Sequence, residues 1–366
     1  MSTEILPADT AASTDEQHQA LRHNILLADY SHFGVLEVTG ADNFEFLNQL
    51  VSGELSMIRQ EQALHTLLLD DHGNIVTDLY VLCGEERYIV LSEWLNGEQL
   101  RAAMLQHGAS LDVQIEMRGA QSAVLLFEGP YSWELMAELF GIDVIGLPFL
   151  EFMGVEGGVL LRAGKHGEFS FKVLTDRRKA ADLWSKAIEA GRKYHMKIGT
   201  RQFQQRARLE NPCWNPASVG EFSRCPIELQ LQWMVRYDKD AFVGREALLG
   251  RSREGVARRS IGFVMTGSND ALSPGNEVLY QDEVIGTVMT TGYSSERGCQ
   301  VGQALLASAY AYADIDQYQV RNRNGERVAI RTSATPFIKN FSFLVNPAEH
   351  SYVKPGRAKS LLEQRA

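Results

Sequence analysis

The feature that most restricts the fold is a run of strand-like segments joined by short turns. Leu64–Leu69, Ile75–Cys83 and Tyr88–Ser92 are rich in apolar and β-branched residues, and DDHGN and GEER lie between them. Turns of this length and composition connect neighbouring antiparallel strands. Helical patterns flank this meander at ADNFEFLNQL and NGEQLRAAML. The first half of the chain therefore predicts an α+β fold with antiparallel sheets and flanking helices.

The last third of the chain has a different pattern, with short strand-like segments that follow one another closely. They are SIGFVM, NEVLYQ, VIGTVMTTG, GCQVGQALL, YQVRNR and RVAIRT, all with turn residues between them. This spacing predicts a small all-β, barrel-like domain over residues 256–350. The polar stretch Arg251–Arg259 is interpreted as the linker before it.

Composition excludes several functional classes. The net charge of −10 over 366 residues leaves no basic footprint for nucleic acid. No apolar run reaches the roughly 20 residues that span a bilayer, and the start of the chain has no signal-peptide pattern, which predicts a cytoplasmic protein. The four cysteines are scattered, so we expect reduced thiols and no metal site.

Few residues stand out as candidates for chemistry. The chain has no phosphate-binding glycine loop, HExxH or GxSxG motif. His65, His72, His166 and His195 are interpreted singly as ordinary surface or edge residues. Asp78 is different because it interrupts the apolar strand IVTDLYVL. A buried carboxylate needs a partner or a function, although periodicity alone equally allows Asp78 to lie on a solvated sheet face.

Several motifs, in this order, resemble the glycine cleavage T-protein (aminomethyltransferase) family over nearly the whole chain after residue 24. They are LADYSHFGVLEVTGADNFEFLNQLVSGEL, LLLDDHGNIVTDLYV, FEGP, PFLEF with GKHGEFSFK, IGTR, and PIELQLQWMVRYDKDAFVGREAL. The last of these matches is long and specific. The resemblance identifies the chain as a divergent member of this family.

The resemblance implies an α+β, three-domain cloverleaf around a central channel that binds tetrahydrofolate. The expected boundaries are a first α+β domain from 23–55 and 148–250, a second from 56–147, and the C-terminal β domain at 256–350. A disordered tail is expected at 1–22, where the sequence is polar, and a second tail at 351–366.

The resemblance also implies site residues. Asp78 corresponds to the family's strand aspartate beside the folate nitrogens, where a carboxylate can orient an amine and stabilise positive charge. Arg201 corresponds to a binding arginine of the GlgAR turn, and its planar fork suits a carboxylate. Arg201 could equally pair with a local acid.

Departures from the family pattern cluster in the stretch GKHGEFSFK. Lys165 stands where the family has tyrosine, and Lys172 stands where it has the glutamate that receives the pterin N–H groups. A lysine has no acceptor. His65 and Ser92 also replace an aromatic residue and an asparagine. Either lysine could instead be solvated, with Lys172 reaching out of an edge strand.

Two further residues of the long match are candidates for ligand binding. Trp233 is a candidate stacking residue that could equally belong to the core, and Glu228 is a candidate contact that could equally be structural. Nothing in the sequence indicates a carrier-protein partner, so a small-molecule substrate is expected.

Three functions remain open from the sequence. The first is a specialised tetrahydrofolate-dependent transferase of methyl or aminomethyl groups, acting on a small N-, O- or S-substituted compound. The second is an enzyme that has lost folate and uses Lys165 and Lys172 to bind a small anionic substrate, with Asp78 as base. The third is a non-catalytic folate-binding assembly protein, which YDKDAFVGREAL disfavours because those relatives carry a KGCYxGQE stretch there.

Overall fold

A computed structural model describes residues 12–107, 111–118, 122–267 and 272–365. The helices are α1 (Thr14–His23), α2 (Asn43–Leu50), α3 (Gly97–Leu105), α4 (Ser132–Phe140), α5 (Arg177–Gly191), α6 (Arg201–Ala207), α7 (Val219–Phe222), α8 (Arg245–Glu254) and α9 (Leu361–Arg365). The strands are β1 (Leu26–Asp29), β2 (Gly34–Thr39), β3 (Ala63–Leu69), β4 (Ile75–Cys83), β5 (Tyr88–Ser92), β6 (Gln114–Met117), β7 (Ser122–Glu128), β8 (Phe152–Val155), β9 (Gly158–Arg162), β10 (Ser170–Asp176), β11 (Lys197–Ile198), β12 (Arg258–Met265), β13 (Glu277–Tyr280), β14 (Glu283–Ser294), β15 (Cys299–Ala307), β16 (Tyr318–Arg321) and β17 (Arg327–Ser333).

The predicted meander forms one side of an antiparallel five-stranded sheet in the order β3–β4–β5–β2–β6. The turn between β3 and β4 is fixed by Asp70, whose carboxylate accepts hydrogen bonds from the backbone N–H groups of His72 (3.0 Å) and Asn74 (2.8 Å). Gly73 supplies the positive φ of +71° that this turn needs. The predicted strands and the flanking helices α2 and α3 are confirmed.

A second sheet carries the strands on either side of the meander, in the order β11–β1–β7–β10–β9–β8. Strand β1 pairs in parallel with β11, and the other neighbours are antiparallel. Helices α4 and α5 cover one face with a core that includes Trp133 and Trp184. Helix α5 begins at Asp176, whose side chain accepts a hydrogen bond from the Lys179 N–H.

The two sheets pack against each other through a separate apolar cluster. On β4, Tyr80 and Leu82 belong to this cluster, and on β10 Leu174 does. Side chains two residues apart share a face of a strand. Asp78 on β4 and Lys172 on β10 therefore point into the same space between the sheets, where they continue the apolar rows toward one end.

The C-terminal strands close into a barrel in the order β12–β15–β14–β13–β16–β17. Its interior is apolar and includes Phe263, Val288 and Ile330. The predicted barrel-like domain is therefore confirmed. The expected linker Arg251–Arg259 is shorter than predicted, because α8 runs to Glu254 and β12 starts at Arg258.

Strand pairing divides the first two thirds of the chain differently from the expected boundaries. Strand β2 was assigned to the domain of 23–55 and 148–250, but it pairs with β5 and β6. Strand β7 was assigned to 56–147, but it pairs with β1 and β10. Both assignments are corrected, because alternation of apolar residues identifies a strand and does not identify its partner.

The expected terminal tails also need correction where the structure describes them. Residues 1–11 and 366 lie outside the described ranges. Residues 14–23 form α1, which starts with a capping box between Ser13 and Glu16. Its inner face buries Leu21 and Arg22, which is why this polar-looking segment is ordered. Near the other end, Ser351 is buried and donates a hydrogen bond to Glu134.

Candidate active site

Asp78 lies at the floor of a cleft and is 3% exposed. The interpretation that placed it on a solvated face is therefore wrong. Its Oδ2 atom is 2.6 Å from Lys165 Nζ and 2.8 Å from His65 Nε2. Its Oδ1 atom is buried and has no hydrogen-bond partner within the described ranges. One carboxylate oxygen is thus held in place by two side chains, and the other is buried without a partner among the described residues.

Asp78 is the first acid of a buried chain of alternating charges. Lys165 Nζ also lies 3.1 Å from Glu93 Oε2, and Arg208 Nη2 lies 2.6 Å from Glu93 Oε1. All four side chains are at most 6% exposed. Each charge therefore has an opposite partner, as buried charges require.

These pairs determine the protonation states. Burial alone would raise the pKa of Asp78, but the Lys165 charge and the hydrogen bond from His65 hold it well below its usual range. Burial likewise opposes ionisation of Glu93, but Arg208 and Lys165 hold its pKa at about 2. Burial would lower the pKa of Lys165, yet the Asp78 and Glu93 charges raise it well above its usual range. Both acids are ionised and the lysine is charged at neutral pH.

His65 lines the cleft beside Asp78. Its ring stacks on Tyr80 with centroids 4.5 Å apart. Burial lowers the pKa of His65, against the opposing effect of Asp78, so the imidazole is neutral at pH 7. Because the ionised Asp78 carries no proton, the hydrogen on this bond sits on His65 Nε2. The other ring nitrogen, Nδ1, is then an acceptor.

The cleft above Asp78 has a volume of about 520 Å³. Its walls come from β3 and β4, from the segment 212–234 and from the barrel. Trp233 lies at the cleft and is 66% exposed, with its ring 6.2 Å from His65. Tyr312 of the barrel is 62% exposed and also lines it. The cleft thus combines polar atoms at its floor with exposed aromatic rings that can contact a ligand.

On the other side of Asp78 the space between the sheets is filled, and we call it the closed end. The residues around it are Tyr30, Glu93, Leu126, Glu128, Lys165, His166, Lys172 and Arg208. It contains no volume that a water-sized sphere can enter. Since Asp78 lines the cleft and Lys165 lines the closed end, the 2.6 Å ion pair between them marks the boundary.

Lys172 lies in the closed end and is 2% exposed. Its Nζ donates a 2.5 Å hydrogen bond to the Ala163 carbonyl and lies 5.2 Å from the centre of the Tyr80 ring. Burial lowers the pKa of Lys172 to about 8. The same region holds His166, 1% exposed, with Nδ1 2.7 Å from Glu128 Oε2. The interpretation of His166 as an ordinary surface or edge residue is therefore wrong.

The structure brings some of the other predicted residues to the cleft and leaves others outside it. His65 and Trp233 line it with Asp78. Ser92 is buried behind β4, with its Oγ 3.0 Å from the Thr77 hydroxyl. Glu228 accepts a 2.6 Å hydrogen bond from Ser223 within the 212–234 segment and joins this segment to the barrel through Arg258. These last two positions hold the fold together.

Arg201 is exposed at the first turn of α6 and does not line the cleft or the closed end. Arg208, seven residues later, is the arginine that meets the site. The stretch QFQQRARLE is longer than the family motif, and Arg208 was not singled out from the sequence. Glu93 was also missed, because it directly follows the predicted strand end at Ser92.

Family models match most of the chain. The model described as the GCVT N-terminal domain matches residues 5–239, and the glycine cleavage T-protein C-terminal barrel domain matches residues 258–339. The chain belongs to the glycine cleavage T-protein family. Its curated relatives are aminomethyltransferases, and the chain is an enzyme of this class, the transferases of one-carbon groups.

Individual T-protein relatives agree with this assignment. An aminomethyltransferase of Caldanaerobacter subterraneus subsp. tengcongensis is 30% identical over 334 residues, covering 89% of this chain and 88% of that protein. The aminomethyltransferase of Thermoanaerobacter sp. (strain X514) is 29% identical, with 89% of both covered. The crystal structure of the glycine cleavage system aminomethyltransferase T from Bartonella henselae superimposes with a TM-score of 0.77 at 19% identity over 90% of each chain. The T-protein fold is thereby confirmed.

Tetrahydrofolate is the cofactor of the family, and the closed end does not fit its pterin ring. The 2-amino and N3–H groups of a pterin need acceptors, and a carboxylate supplies them best. Lys172 offers only donors, and both oxygens of Glu93 are already bonded to cations. Glu128 keeps one oxygen, Oε1, without a partner among the described residues, but the region has no volume that a water-sized sphere can enter.

In the described part of the molecule, no helix is both long enough and apolar enough to cross a bilayer.

Proposed function

We propose that this protein transfers a one-carbon group to or from the nitrogen of a small amine that binds in the cleft. The observation that carries the proposal is the ionised Asp78 carboxylate, which lines the cleft and whose buried Oδ1 atom has no partner among the described residues. An ammonium or N–H group is the partner that such an oxygen requires.

The low pKa of Asp78 decides its role. A carboxylate held ionised by Lys165 is a weak base, so it is poorly suited to removing a proton. It is well suited to stabilising positive charge. When a one-carbon group moves between two nitrogens, charge develops on nitrogen or on the carbon, and a fixed anion in a water-poor site stabilises that charge.

His65 is the proposed proton carrier. In the transfer, the donor C–N bond breaks with its electron pair left on the departing nitrogen, and the acceptor nitrogen forms the new C–N bond and loses a proton. His65 Nδ1 takes up that proton and returns it to the departing nitrogen. Asp78 holds the ring through Nε2 and stabilises the imidazolium that forms in between.

The cleft also indicates the kind of substrate. Its size suits a compound whose reacting nitrogen reaches Asp78 while a flat or apolar part lies against Trp233. A specialised small-molecule substrate fits this cleft better than the housekeeping reaction of glycine cleavage, because the closed end differs from the family pattern at Lys165 and Lys172. Tetrahydrofolate in this proposal has to lie in the cleft, in a pose shifted from the one that the family implies.

The alternative in which Lys165 and Lys172 bind an anionic substrate is less well supported. Lys165 is engaged by Asp78 and Glu93, and Lys172 by a backbone carbonyl. Neither lines the cleft. The assembly-protein alternative would leave Asp78 Oδ1 and His65 without a use.

The proposal is tested by mixing the protein with tetrahydrofolate and a panel of ¹³C-labelled N-methyl and N-aminomethyl amines, and following the label by NMR. We expect transfer from at least one amine, and a loss of roughly 10²-fold in rate for Asp78→Asn. Asp71→Asn, at an exposed aspartate of the neighbouring turn, is the matched control and should react at the wild-type rate. An Asp78→Asn protein as active as the wild type, or no transfer from any amine in the panel, would contradict the proposal.

A further inference from the structure

The closed end differs most from what a folate enzyme needs, and the difference concerns two lysines. We propose that Lys165 and Lys172 close this half of the channel to the pterin ring, so that any pterin-containing ligand binds only through the cleft. This inference concerns the shape and hydrogen bonding of the closed end. It stands whether or not the proposed transfer reaction is found.

The first obstacle to a pterin ring in the closed end is the lack of space. The residues around the closed end leave no volume for a water-sized sphere, whereas the cleft on the other side of Asp78 holds about 520 Å³. Lys172 enters from β10 and Lys165 from the loop before it, and both are less than 9% exposed. A bicyclic ring enters this space only if at least one lysine side chain leaves it.

The second obstacle is that contacts hold both Lys165 and Lys172 in place. Lys165 contacts Asp78 and Glu93 together, and Glu93 is held in turn by Arg208. Lys172 is held by the Ala163 carbonyl and faces the Tyr80 ring. Moving Lys165 away would leave two buried carboxylates short of a cation, which is strongly unfavourable. The closed state is therefore a stable arrangement of the side chains, and a ligand has to compete with it.

The third obstacle to a pterin ring is that the closed end presents mainly hydrogen-bond donors. The pyrimidine edge of a pterin presents N–H donors. Around the closed end, Glu93 has both oxygens engaged and Glu128 Oε2 is engaged by His166, so Glu128 Oε1 is the one carboxylate oxygen there without a partner among the described residues. Arg208 Nε and Nη1 are buried and have no partner among the described residues, and they too are donors. A pterin would add donors to a site that is already rich in them.

The experiment is calorimetric titration with 6-methyltetrahydropterin, which carries the ring of tetrahydrofolate without its tail. The wild type is compared with Lys172→Met, Trp233→Ala and the double variant Lys165→Tyr with Lys172→Glu. Circular dichroism and thermal melting verify that each variant is folded. We expect no binding to the wild type at about 1 mM ligand, or weak binding that Trp233→Ala reduces and Lys172→Met leaves unchanged. The folded double variant should bind at least ~10-fold more tightly, because it restores an acceptor and removes both cations.

Two results would overturn the inference. One is wild-type binding below roughly 100 µM that Lys172→Met weakens tenfold or more, which would place the ring beside Lys172. The other is a folded double variant with no gain in affinity. If the double variant does not fold, Lys172→Glu alone replaces it and should bind more tightly than the wild type, because it adds an acceptor and keeps the ion pairs of Lys165; no gain for this folded variant would also overturn the inference. Because binding alone is measured, failure of this inference is distinguishable from absence of the transfer reaction.

Discussion

The cleft and the closed end both contain buried charged side chains, but they differ in how far those charges are compensated and in the space beside them. In the closed end Lys165, Glu93 and Arg208 neutralise one another at 2.6–3.1 Å. In the cleft Asp78 keeps one oxygen without a partner. The difference teaches that a buried acid indicates a site only where its charge or its hydrogen bonds are left incomplete. Glu93 in the closed end is compensated, and it holds Lys165 beside Asp78. Glu128 also keeps a buried oxygen, Oε1, without a partner among the described residues, but it lies where no water-sized sphere can enter, whereas Asp78 lines the cleft.

The largest effect is expected when Lys165, the cation between the cleft and the closed end, is removed. Lys165→Met leaves Asp78 and Glu93 without their shared partner, and we expect a loss of about 3–5 kcal/mol in the free energy of unfolding. Urea denaturation measures this. Lys193→Met, at a surface lysine that pairs with Glu138 at 2.7 Å, should cost less than about 1 kcal/mol. Equal losses for the two variants would mean that the buried network has no special role.

A second prediction concerns Lys172, which burial keeps at a pKa of about 8. The unfolded lysine has a pKa near 10.5, so between these values the unfolded state binds more protons and stability rises with pH. The difference in unfolding free energy between wild type and Lys172→Met should therefore shift by about 2 kcal/mol in favour of the wild type from pH 7 to 9.5. A difference that stays constant over this range would show that Lys172 is not desolvated.

The third prediction concerns Arg201 and has the smallest expected effect. Arg201→Ala, at an exposed helix start, should change the unfolding free energy by no more than about 0.5 kcal/mol. It should also leave ligand binding in the cleft unchanged, as measured by calorimetry with any amine that the transfer screen identifies. A large loss of affinity on Arg201→Ala would return this residue to the site and weaken the account of Arg208.

Much of the fold could be predicted from local patterns. The meander and the barrel strands follow from alternating apolar residues and turn residues, which are properties of a few neighbouring positions. Strand partners were harder to predict. Strands β2 and β7 each lie in a different sheet from the one that the expected domain boundaries indicated, because strand pairing depends on contacts that are distant in sequence. Helix α1 was missed because it is mostly polar and its buried residues contact a surface that the sequence does not show.

The site was predicted only in part, because some of its contacts join residues that are distant in sequence. Asp78 was found because a charge inside an apolar strand is visible locally, and its partner His65 came from comparison with a family motif. Lys165 and Lys172 were identified as departures, but their ion pairs and hydrogen bonds depend on how the two sheets pack. Arg208 was missed because its ion pair with Glu93 joins residues that are distant in sequence, whereas Arg201 of the IGTR motif lies at an exposed position.

The most direct test of the central claim is a crystal structure of the protein with tetrahydrofolate or 5-methyltetrahydrofolate soaked in at high concentration. The account predicts ligand density in the cleft, beside Asp78 Oδ1 and Trp233, with the ion pair between Lys165 and Asp78 intact. A pterin ring between the sheets, with Lys172 displaced from the Ala163 carbonyl, would contradict it.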